Sequence, residues 1–478
     1  MAKNKFYITT PIYYVNDAPH IGHAYTTIVG DVLARYKRQN GFDTYYLTGT
    51  DEHGTKVAEA AEKENKTPQQ FVDHISDIYK KRWQALNISN DYFIRTTDKD
   101  HIKRVQDIFT KLNNSKTPKG NTVIYESDYQ GLYCTGCEKF LTEKELHKGK
   151  CPDHDKTPES LSEKNYFFRL SDYKDILKEK IAGDEFKILP TKRKNEALSM
   201  LDFIDDFSIS RESVTWGIEL PFDKKQKAYV WVDALSNYIT ALGYPDTPDN
   251  FKKFWPADLH LLAQDILKFH TIYWPAMLIA LDLPLPKTEF IHGFFTIDGE
   301  KMGKSRGNMI DPQDLVDKYG TDATRYLLLS QFSFGNEADV QVERFDEKYN
   351  ADLANGLGNL VARITNLIEK DELALSIKKG SEAKLKKEFN SKMDQYKFDE
   401  ALKMLWARLR HADEVITKTE PWKIKDKTKL TEILEPLAQD VLNVSDLLTP
   451  FMPEVSDKII TYLTVKKIIK AEPLFPRI

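Results

Sequence analysis

The sequence has few cysteines, no long apolar run and no excess of either charge. Its three cysteines among 478 residues all lie between positions 134 and 151, which argues against a disulfide framework and for a metal knuckle in a reducing compartment. No run of about 18 apolar residues occurs, so no transmembrane helix is expected. The N-terminus has neither the apolar core nor the small-residue cleavage site of a signal peptide. These absences predict a soluble, cytoplasmic protein that does not enter a membrane.

The charges almost cancel, with 69 Lys and Arg against 73 Asp and Glu and a net charge of −4. Proteins that bind nucleic acid over their whole surface are usually basic, so any nucleic-acid contact must come from a local patch. The hydrophobic content of 41% argues against disorder. The length predicts roughly three domains.

The chain opens with a strand–helix–strand pattern. Residues 6–10 are rich in β-branched and aromatic side chains, and we expect Pro11 to end this strand. Apolar residues then recur at helical steps of three and four, at Ile21, Ala24, Ile28, Val32 and Tyr36. A second strand over residues 44–48 follows the turn at Gly41. The order predicts the first half of a parallel α/β sheet.

The segment His-Ile-Gly-His at 20–23 lies where the first strand passes to the first helix. Backbone amides at a helix N-terminus favour anions, and a glycine lets a nucleotide approach closely. Two imidazoles three residues apart, His20 and His23, can donate to phosphate oxygens that gain charge in a transition state. The simpler interpretation is a pair of structural histidines at a helix cap.

A second candidate phosphate-binding segment follows residues 289–297, which we expect to form one strand. A turn at Asp298-Gly299 leads to Lys-Met-Gly-Lys-Ser at 301–305. Lys301 and Lys304, on a loop with a glycine, are suited to closing over a polyphosphate. Taken alone, an exposed cationic hairpin tip is the simpler interpretation.

The cysteines form two short-spaced groups with a histidine. Cys134 and Cys137 lie on one side of a thirteen-residue loop, with Cys151 and His154 on the other. Paired thiolate and imidazole ligands suit a tetrahedral structural zinc ion, and four protein ligands leave no open position for catalysis. The alternative, cysteines buried as small apolar residues, does not explain why all three fall within the two groups.

From residue 345 onward the pattern is helical. Two apolar stripes are present: Leu353, Leu357, Leu360, Ile364 and Leu367, then Phe398, Leu402, Leu405, Leu409, Ala412 and Ile416. Asn359 and Arg363 lie about 100–140° around the helix from the first stripe. Trp422 follows the expected end of the second helix at Pro421, with lysines nearby. Such groups suit unpaired RNA bases, which stack on aromatic side chains, although the lysines also fit a solvated face.

Together, the two candidate phosphate-binding segments resemble the two signature motifs of class I aminoacyl-tRNA synthetases. They occur in the family's order, more than half the chain apart, and Gly303 replaces the usual serine of the second motif. The resemblance implies a Rossmann-type nucleotide-binding fold that uses ATP with Mg²⁺, with His20, His23, Lys301 and Lys304 as catalytic residues. The implied ATP-binding residues are Thr10, His20, Gly22, His23, Lys301 and Lys304.

Within that class the chain resembles the bacterial methionyl-tRNA synthetase family with a single zinc knuckle. The resemblance is carried by the blocks at 9–14, 48–54, 229–235 and 265–270. It implies L-methionine as substrate, with Asp51 binding the α-ammonium group. The methionine-binding residues it implies are Ile12, Tyr14, Asp51, Trp231, Ala234, Leu235, Tyr238, Ile266 and His270. From the residues alone, Trp231 and Tyr238 also fit a core aromatic pair, and Asp51 a helix cap for a segment beginning at Glu52.

The resemblance also implies the partner, methionine tRNA, contacted at its acceptor end and at its CAU anticodon. Asn359, Arg363 and Trp422 match the anticodon-recognising residues. The space between the motifs is too small for the editing domain of leucine, isoleucine and valine enzymes, and no cysteine lies near His20, as a cysteine enzyme would require. Because the family's core ends near residue 478, without a further oligonucleotide-binding domain, we expect a monomer.

The expected organisation is a catalytic domain in two halves, 1–111 and 226–293, around a zinc-binding connective peptide at 112–225. A linker at 294–345 carries the second motif, and an α-helical anticodon-binding bundle occupies 346–478. Two alternatives stay open: a small-molecule nucleotidylyltransferase, which has no need of Trp422, and a catalytically silent RNA-binding paralogue, which would have lost the signature histidines and lysines.

Overall fold

The computed structural model describes residues 4–478 apart from 135–138, 142, 144–145, 153–154, 247, 298, 303–306 and 379. The chain forms two compact units. The first unit comprises Met1–Pro19, Gly41–Lys81 and Ser89–His292, and the second comprises His20–Asn40, Arg82–Ile88 and Gly293–Ile478.

The strands of the described residues are β1 Lys5–Tyr14, β2 Asp43–Asp51, β3 Tyr92–Arg95, β4 Ile124–Cys134, β5 Lys139–Leu141, β6 Glu159–Phe168, β7 Lys187–Leu189, β8 Phe207–Ser208, β9 Ser210–Arg211, β10 Lys227–Ala228, β11 Leu259–Ala263, β12 Thr288–His292, β13 Phe295–Ile297, β14 Glu300–Lys301 and β15 Ala338–Val340.

The α-helices are α1 Ile21–Gln39, α2 Thr55–Lys63, α3 Pro68–Ala85, α4 Lys99–Asn114, α5 Lys174–Ala182, α6 Thr191–Leu201, α7 Val230–Thr240, α8 Pro248–Phe254, α9 Trp274–Ala280, α10 Pro312–Tyr319, α11 Thr321–Ser330, α12 Glu343–Lys348, α13 Asn359–Lys370, α14 Ala383–Met393, α15 Phe398–Thr419, α16 Lys427–Leu448 and α17 Pro453–Thr464. Short 3₁₀ turns lie at Leu170–Tyr173, Gln264–Ile266 and Pro421–Lys423, and π-helical turns at Phe269–Tyr273 and Tyr349–Gly358.

A six-stranded sheet organises the first unit, in the order β3-β2-β1-β11-β12-β7. Each pairing in it is parallel, which confirms the predicted α/β class. Strands of a parallel sheet are covered on both faces, and here Tyr7, Leu47, Leu262 and Ile291 are all fully buried. In open parallel sheets, ligands bind at the carboxyl ends of the strands.

The first strand continues past Pro11, where we expected it to end. β1 reaches Tyr14, and its pairing with β2 shifts register between Thr9 and Ile12. Proline cannot donate to a sheet ladder, but a bulge interrupts the ladder and so tolerates it. The predicted strand end at Pro11 was wrong because the bulge accommodates the proline. The longer strand includes Ile12 and Tyr14 in the sheet.

The single strand expected over residues 289–297 is also a wrong prediction. β12 ends at His292 and pairs with β11, whereas β13 begins at Phe295 and pairs with β15. Gly293 separates them, and there the backbone of residues 336–337 approaches so closely that a Cβ would lie 2.6 Å from the Glu337 nitrogen. The apolar run is therefore divided between two sheets.

An antiparallel sheet of order β5-β4-β6-β8 is inserted in the first unit between β3 and β11. Its long hairpin, β4 with β6, contains the position of Cys134 at the end of β4. This sheet falls within the segment that we expected to form an insertion.

The second unit is mainly helical beyond β15. Both predicted stripes are buried along their full length, and α15 ends at Thr419 with Glu420 in a left-handed conformation before Pro421. These observations confirm the predicted helical C-terminal region. No helix formed by the described residues is long and apolar enough to cross a bilayer.

Candidate active site

The carboxyl end of β2 is held by a dense set of polar contacts. Asp51 is the last residue of the strand and is 8% exposed. The buried Glu52 carboxylate accepts two hydrogen bonds from Arg95, at 2.7 and 2.8 Å, and one from the Thr97 hydroxyl. The Trp216 indole donates to the Glu52 carbonyl at 2.7 Å. Asp51 is not a helix cap, because α2 begins four residues later, at Thr55, after Gly54.

The predicted methionine-binding residues lie on four segments of the first unit. Ile12 and Tyr14 are on β1, Asp51 is on β2, Trp231, Ala234, Leu235 and Tyr238 are on α7, and Ile266 and His270 lie on the 3₁₀ and π turns that follow β11. The α7 residues recur at steps of three, one and three, and therefore form one face of the helix. β1, β2 and β11 are neighbours in the sheet, so the residues at the carboxyl ends of these three strands lie along the same side of it; α7 follows β10, outside this sheet.

His270 connects the two aromatic residues that we predicted for the pocket. The Tyr238 hydroxyl lies 2.8 Å from His270 Nε2, and the Trp231 ring meets the His270 ring edge-on at a centroid distance of 6.1 Å. Tyr238 is buried within the core, whereas Trp231 is partly exposed and stacks on Phe269 at 3.7 Å. Trp231 packs against the same hydrophobic core that contains Tyr238, and each of the two rings also contacts the imidazole.

The protonation of His270 follows from its hydrogen bonds. Nδ1 is 3.0 Å from the Ile266 carbonyl, which can only accept, so Nδ1 carries the proton. Nε2 then accepts from the Tyr238 hydroxyl. Burial lowers the pKa of His270 to about 4, so the ring is neutral at neutral pH. The aromatic wall of the predicted pocket is therefore uncharged.

At the N-terminus of α1 the two signature histidines form a reciprocal cap. The Gly22 N–H donates to His20 Nδ1 at 3.1 Å, and the His20 N–H donates to His23 Nδ1 at 3.3 Å. The rings stack with centroids 3.8 Å apart. Desolvation, and to a smaller extent the His20 imidazole, lowers the pKa of His23 well below its ordinary value.

This cap determines which nitrogen of each ring can donate. A backbone N–H is always a donor, so both Nδ1 atoms are acceptors, and the proton of each neutral ring is on Nε2. The capping interpretation and the phosphate-binding interpretation are therefore compatible. Capping leaves both histidines with an Nε2–H, the group that can donate to a phosphate oxygen.

The two signature motifs meet within the second unit. A Cβ at Gly22 would lie 2.9 Å from the His20 ring and 3.0 Å from Met302 Cε. The Ile21 N–H donates to the Ile310 carbonyl at 3.0 Å. Met302 of the second motif and Ile310 just after it thus border the start of α1, and a side chain at position 22 would have to displace the His20 ring or Met302.

Some predicted residues contribute little to this picture. Thr10 is fully buried on β1, with its hydroxyl 2.7 Å from that of Thr48. The backbone of Lys301 forms part of β14, but its side chain lies outside the described part of the chain. Lys304 and Gly303 also lie outside the described residues.

Two of the four predicted zinc ligands can be located. Cys134 and Cys151 are each 1% exposed and form a small cluster with Leu141. Cys137 and His154 lie outside the described residues. Among those that the structure does describe, no group of three or more metal-ligating side chains is present.

The predicted anticodon-binding residues lie in the second unit. Asn359 is exposed at the start of α13, and Trp422 is 47% exposed after α15. The Arg363 guanidinium lies 5.8 Å from the Trp422 ring centre and pairs with Asp413 at 2.5 Å. Arg363 and Trp422 are thus adjacent, and Arg363 already has an acidic partner.

Sequence reasoning missed a buried polar network beside the predicted pocket. It joins His53, Asp233, His101 and Thr240 through bonds of 2.7 Å. One signal was available for part of it: Asp233 is the only charged residue within an otherwise apolar block at 229–235. Its partner His101 had no signal, since it lies 132 residues away.

Comparison with known proteins gives the class that this fold and site define. The family model described as tRNA synthetases class I (M) matches residues 6–157 and 145–365. The chain is a class I aminoacyl-tRNA synthetase.

Individual relatives show which enzyme of this class the chain resembles. Methionine--tRNA ligase of Clostridium acetobutylicum is 44% identical over 519 aligned residues, which cover 100% of this chain and 78% of the relative. That of Thermotoga maritima is 41% identical and covers 99% of this chain and 80% of the relative. Mycobacterium tuberculosis methionyl-tRNA synthetase, solved in complex with methionyl-adenylate, has a TM-score of 0.91 at 35% identity, with 99% of this chain and 100% of that chain covered. This chain belongs to the methionine--tRNA ligase family.

Proposed function

We propose that this chain ligates L-methionine to methionine tRNA in two steps, through a methionyl-adenylate intermediate, for both initiation and elongation of protein synthesis. The observation that carries the proposal is the meeting of Gly22 with Met302 at the start of α1, where His20 and His23 both have Nε2–H donors. Family membership and the Mycobacterium tuberculosis structure with methionyl-adenylate support the same reaction.

In the first step, a carboxylate oxygen of methionine attacks the α-phosphorus of ATP. A new O–P bond forms, the bond to the bridging oxygen breaks, and pyrophosphate leaves. The carboxylate is already a nucleophile, so the protein supplies positioning and charge stabilisation rather than a general base. His20 and His23 donate from Nε2 to the phosphate oxygens as negative charge develops there. Lys301 and Lys304 hold the leaving pyrophosphate, and Thr10 and Gly22 complete the ATP site; Mg²⁺ accompanies the nucleotide.

Methionine recognition combines one charge with an uncharged, adaptable wall. Asp51, at the carboxyl end of β2, accepts the α-ammonium group. The thioether packs against the aromatic residues Trp231, Tyr238 and His270, the kind of contact that sulfur makes well, with Ile12, Tyr14, Ala234, Leu235 and Ile266 completing the pocket. The neutral tautomer of His270 supports this assignment, because a cationic imidazole would favour an anion over a thioether.

In the second step, the terminal ribose hydroxyl of the tRNA attacks the adenylate carbonyl: a C–O ester bond forms, the bond from the carbonyl carbon to the phosphate oxygen breaks, AMP leaves, and the hydroxyl proton passes to water. Asn359, Arg363 and Trp422 bind the CAU anticodon. The exposed Trp422 ring offers a stacking surface beside the Arg363 guanidinium. Arg363 has donors beyond the one that pairs with Asp413.

A structural zinc ion fits the cysteine cluster. Cys134 and Cys151 are buried together, as thiolate ligands of a closed site would be, and Cys137 and His154 complete the set. These four residues would hold the ion, which would then stabilise the segment around them and, with no open coordination position, would supply no catalytic chemistry. We keep the domain bounds of 1–111, 112–225, 226–293, 294–345 and 346–478, a monomeric state and a cytoplasmic location as parts of this proposal.

The test is ATP-dependent attachment of radiolabelled methionine to a transcribed methionine tRNA, beside a transcript that differs only in its CAU anticodon. We expect the matched transcript to be charged and the altered one to lose at least ten-fold in rate. Failure to charge either transcript in the presence of active methionyl-adenylate formation would contradict the tRNA step. Failure of both steps would contradict the whole proposal.

A further inference from the structure

Asp233 makes two short hydrogen bonds to histidines from different parts of the first unit. Its side chain, on α7, is 1% exposed. One carboxylate oxygen lies 2.7 Å from His53 Nδ1 and the other 2.7 Å from His101 Nε2. Burial alone would raise the pKa of Asp233, but the two imidazoles outweigh it and hold the pKa below its ordinary value. The carboxylate is therefore an acceptor on both sides, and each ring donates to it.

His101, on α4, contacts α7 at a second point. Its Nδ1 lies 2.7 Å from the Thr240 hydroxyl. The Thr240 hydroxyl can donate to Nδ1 or accept from it, while Nε2 of the same ring meets Asp233. Asp233 and Thr240 are seven residues apart, which is about two helical turns. One imidazole thus holds α7 at two positions along the same face.

The proposed pocket residues lie on the face of α7 opposite Asp233 and Thr240. At about 100° per residue, Thr240 lies within roughly 20° of Asp233 around the axis. The other set lies about 100–200° away: Trp231, Ala234, Leu235 and Tyr238. A rotation of α7 that moved Asp233 would therefore move the whole set in the same sense.

His53 links the same carboxylate to the end of β2. It lies two residues after Asp51, and Glu52 between them is fixed by Arg95 and Trp216. The His53 ring also packs 5.4 Å from that of Trp216. The His53 side chain thus links the position of Asp51, at the end of β2, to the rotation of α7.

We propose that Asp233 is a positioning residue for the amino-acid pocket: by bridging His53 and His101 it sets the rotation of α7 and so the distance between the ammonium-binding carboxylate and the thioether wall. This inference rests on the proposed function. Asp233 itself does not touch the substrate; it acts through β2 and α7.

The bridge makes a specific demand on residue 233. An asparagine has the same shape, but it has one acceptor oxygen and an NH₂ group that would face a ring N–H. One of the two bonds is then replaced by a donor–donor contact. We expect α7 to shift by a fraction of its pitch, which changes methionine binding more than ATP binding; a misplacement of about 1 Å can cost roughly 100-fold.

The test measures KM for methionine and for ATP separately in ATP–pyrophosphate exchange. For Asp233→Asn we expect methionine KM to rise at least ten-fold while ATP KM changes less than three-fold. His101→Gln keeps an amide donor and should stay within about five-fold of wild type, whereas His101→Leu should resemble Asp233→Asn. The matched control is Ser236→Ala on the same helix, a buried residue whose hydroxyl donates to the Val232 carbonyl of its own helix, with both KM values unchanged.

Each outcome separates positioning from mere structural support. A wild-type methionine KM in Asp233→Asn, or a parallel rise of both KM values, would overturn the proposal. If Asp233→Asn does not fold, the His101 pair decides, because equal methionine KM values for Gln and Leu would overturn it too. The wild-type protein tests the proposed function independently: exchange with a different amino acid would refute the methionine assignment, and the same KM comparison with that amino acid would still test the bridge.

Discussion

The proposed amino-acid pocket and the proposed anticodon surface both use polar and aromatic side chains, but those of the pocket are mostly buried and those of the anticodon surface are mostly exposed. In the pocket, Asp51, Tyr238 and His270 are buried. A hydrogen bond between Tyr238 and His270 fixes the orientation of these two rings. On the anticodon surface, Asn359 is exposed and Trp422 is 47% exposed. A small ligand must be distinguished by polar groups that are already in place. A loop of RNA brings its own bases, and an exposed ring is enough to stack on them.

The first way to break this comparison is Asp51→Asn, where the largest effect is expected. Removing one partner of a desolvated charge pair costs about 3–5 kcal/mol, which is roughly two to four orders of magnitude in kcat/KM for methionine. The measurement is ATP–pyrophosphate exchange at varied methionine. Glu62→Gln, at an exposed site on the neighbouring α2, is the control; a loss below ten-fold for Asp51→Asn would contradict the assignment.

The second is Trp422→Ala, which should affect the tRNA step alone. Loss of one base stack costs about 1–3 kcal/mol, so we expect aminoacylation kcat/KM to fall roughly 5- to 150-fold with methionine-dependent exchange unchanged. Phe203→Ala removes an aromatic side chain that is 83% exposed and should change neither assay. Equal losses in both assays for Trp422→Ala would remove this residue from the anticodon surface.

The third prediction concerns the buried side of the comparison and tests the protonation of Glu289 on β12. It is fully buried, and neither carboxyl oxygen has a partner among the described residues. Burial raises its pKa well above the ordinary value, so the folded state binds its proton more tightly than the unfolded state. Wild-type stability should therefore fall as pH rises above about 4.5.

Glu289→Gln removes that titration. We expect the variant to match the wild type near pH 4.5 and to become more stable as pH rises toward 8, by about 1.4 kcal/mol for each unit by which folding raises the pKa. Denaturant unfolding at both pH values measures the difference. A gap that stays constant with pH would mean that Glu289 is ionised in the folded protein.

The smallest expected effect is the pH response of His270. With its pKa lowered to about 4, the ring stays neutral from pH 8 down to pH 6. Its protonation should therefore change methionine KM less than two-fold over that range. A rise centred near pH 6.5 that disappears in His270→Gln would contradict the neutral tautomer.

Local patterns predicted what depends on local physics. The helical period anticipated α1 and the buried stripes that start at Leu353 and Phe398, because an amphipathic helix must bury one face. The predicted end of the first strand at Pro11 and the single strand predicted over 289–297 were both wrong, because a bulge in β1 and a close backbone approach at Gly293 decide these boundaries. The His101–Asp233 contact could not be predicted, because folding brings together residues 132 positions apart and neither one alone indicates the other.

The central claim is that this chain activates methionine with ATP. ATP–pyrophosphate exchange without tRNA tests it most directly, run with methionine beside leucine, isoleucine, valine and cysteine. We expect exchange with methionine at least 100-fold faster, as kcat/KM, than with any of the others. Faster exchange with another amino acid, or none with methionine, would contradict it.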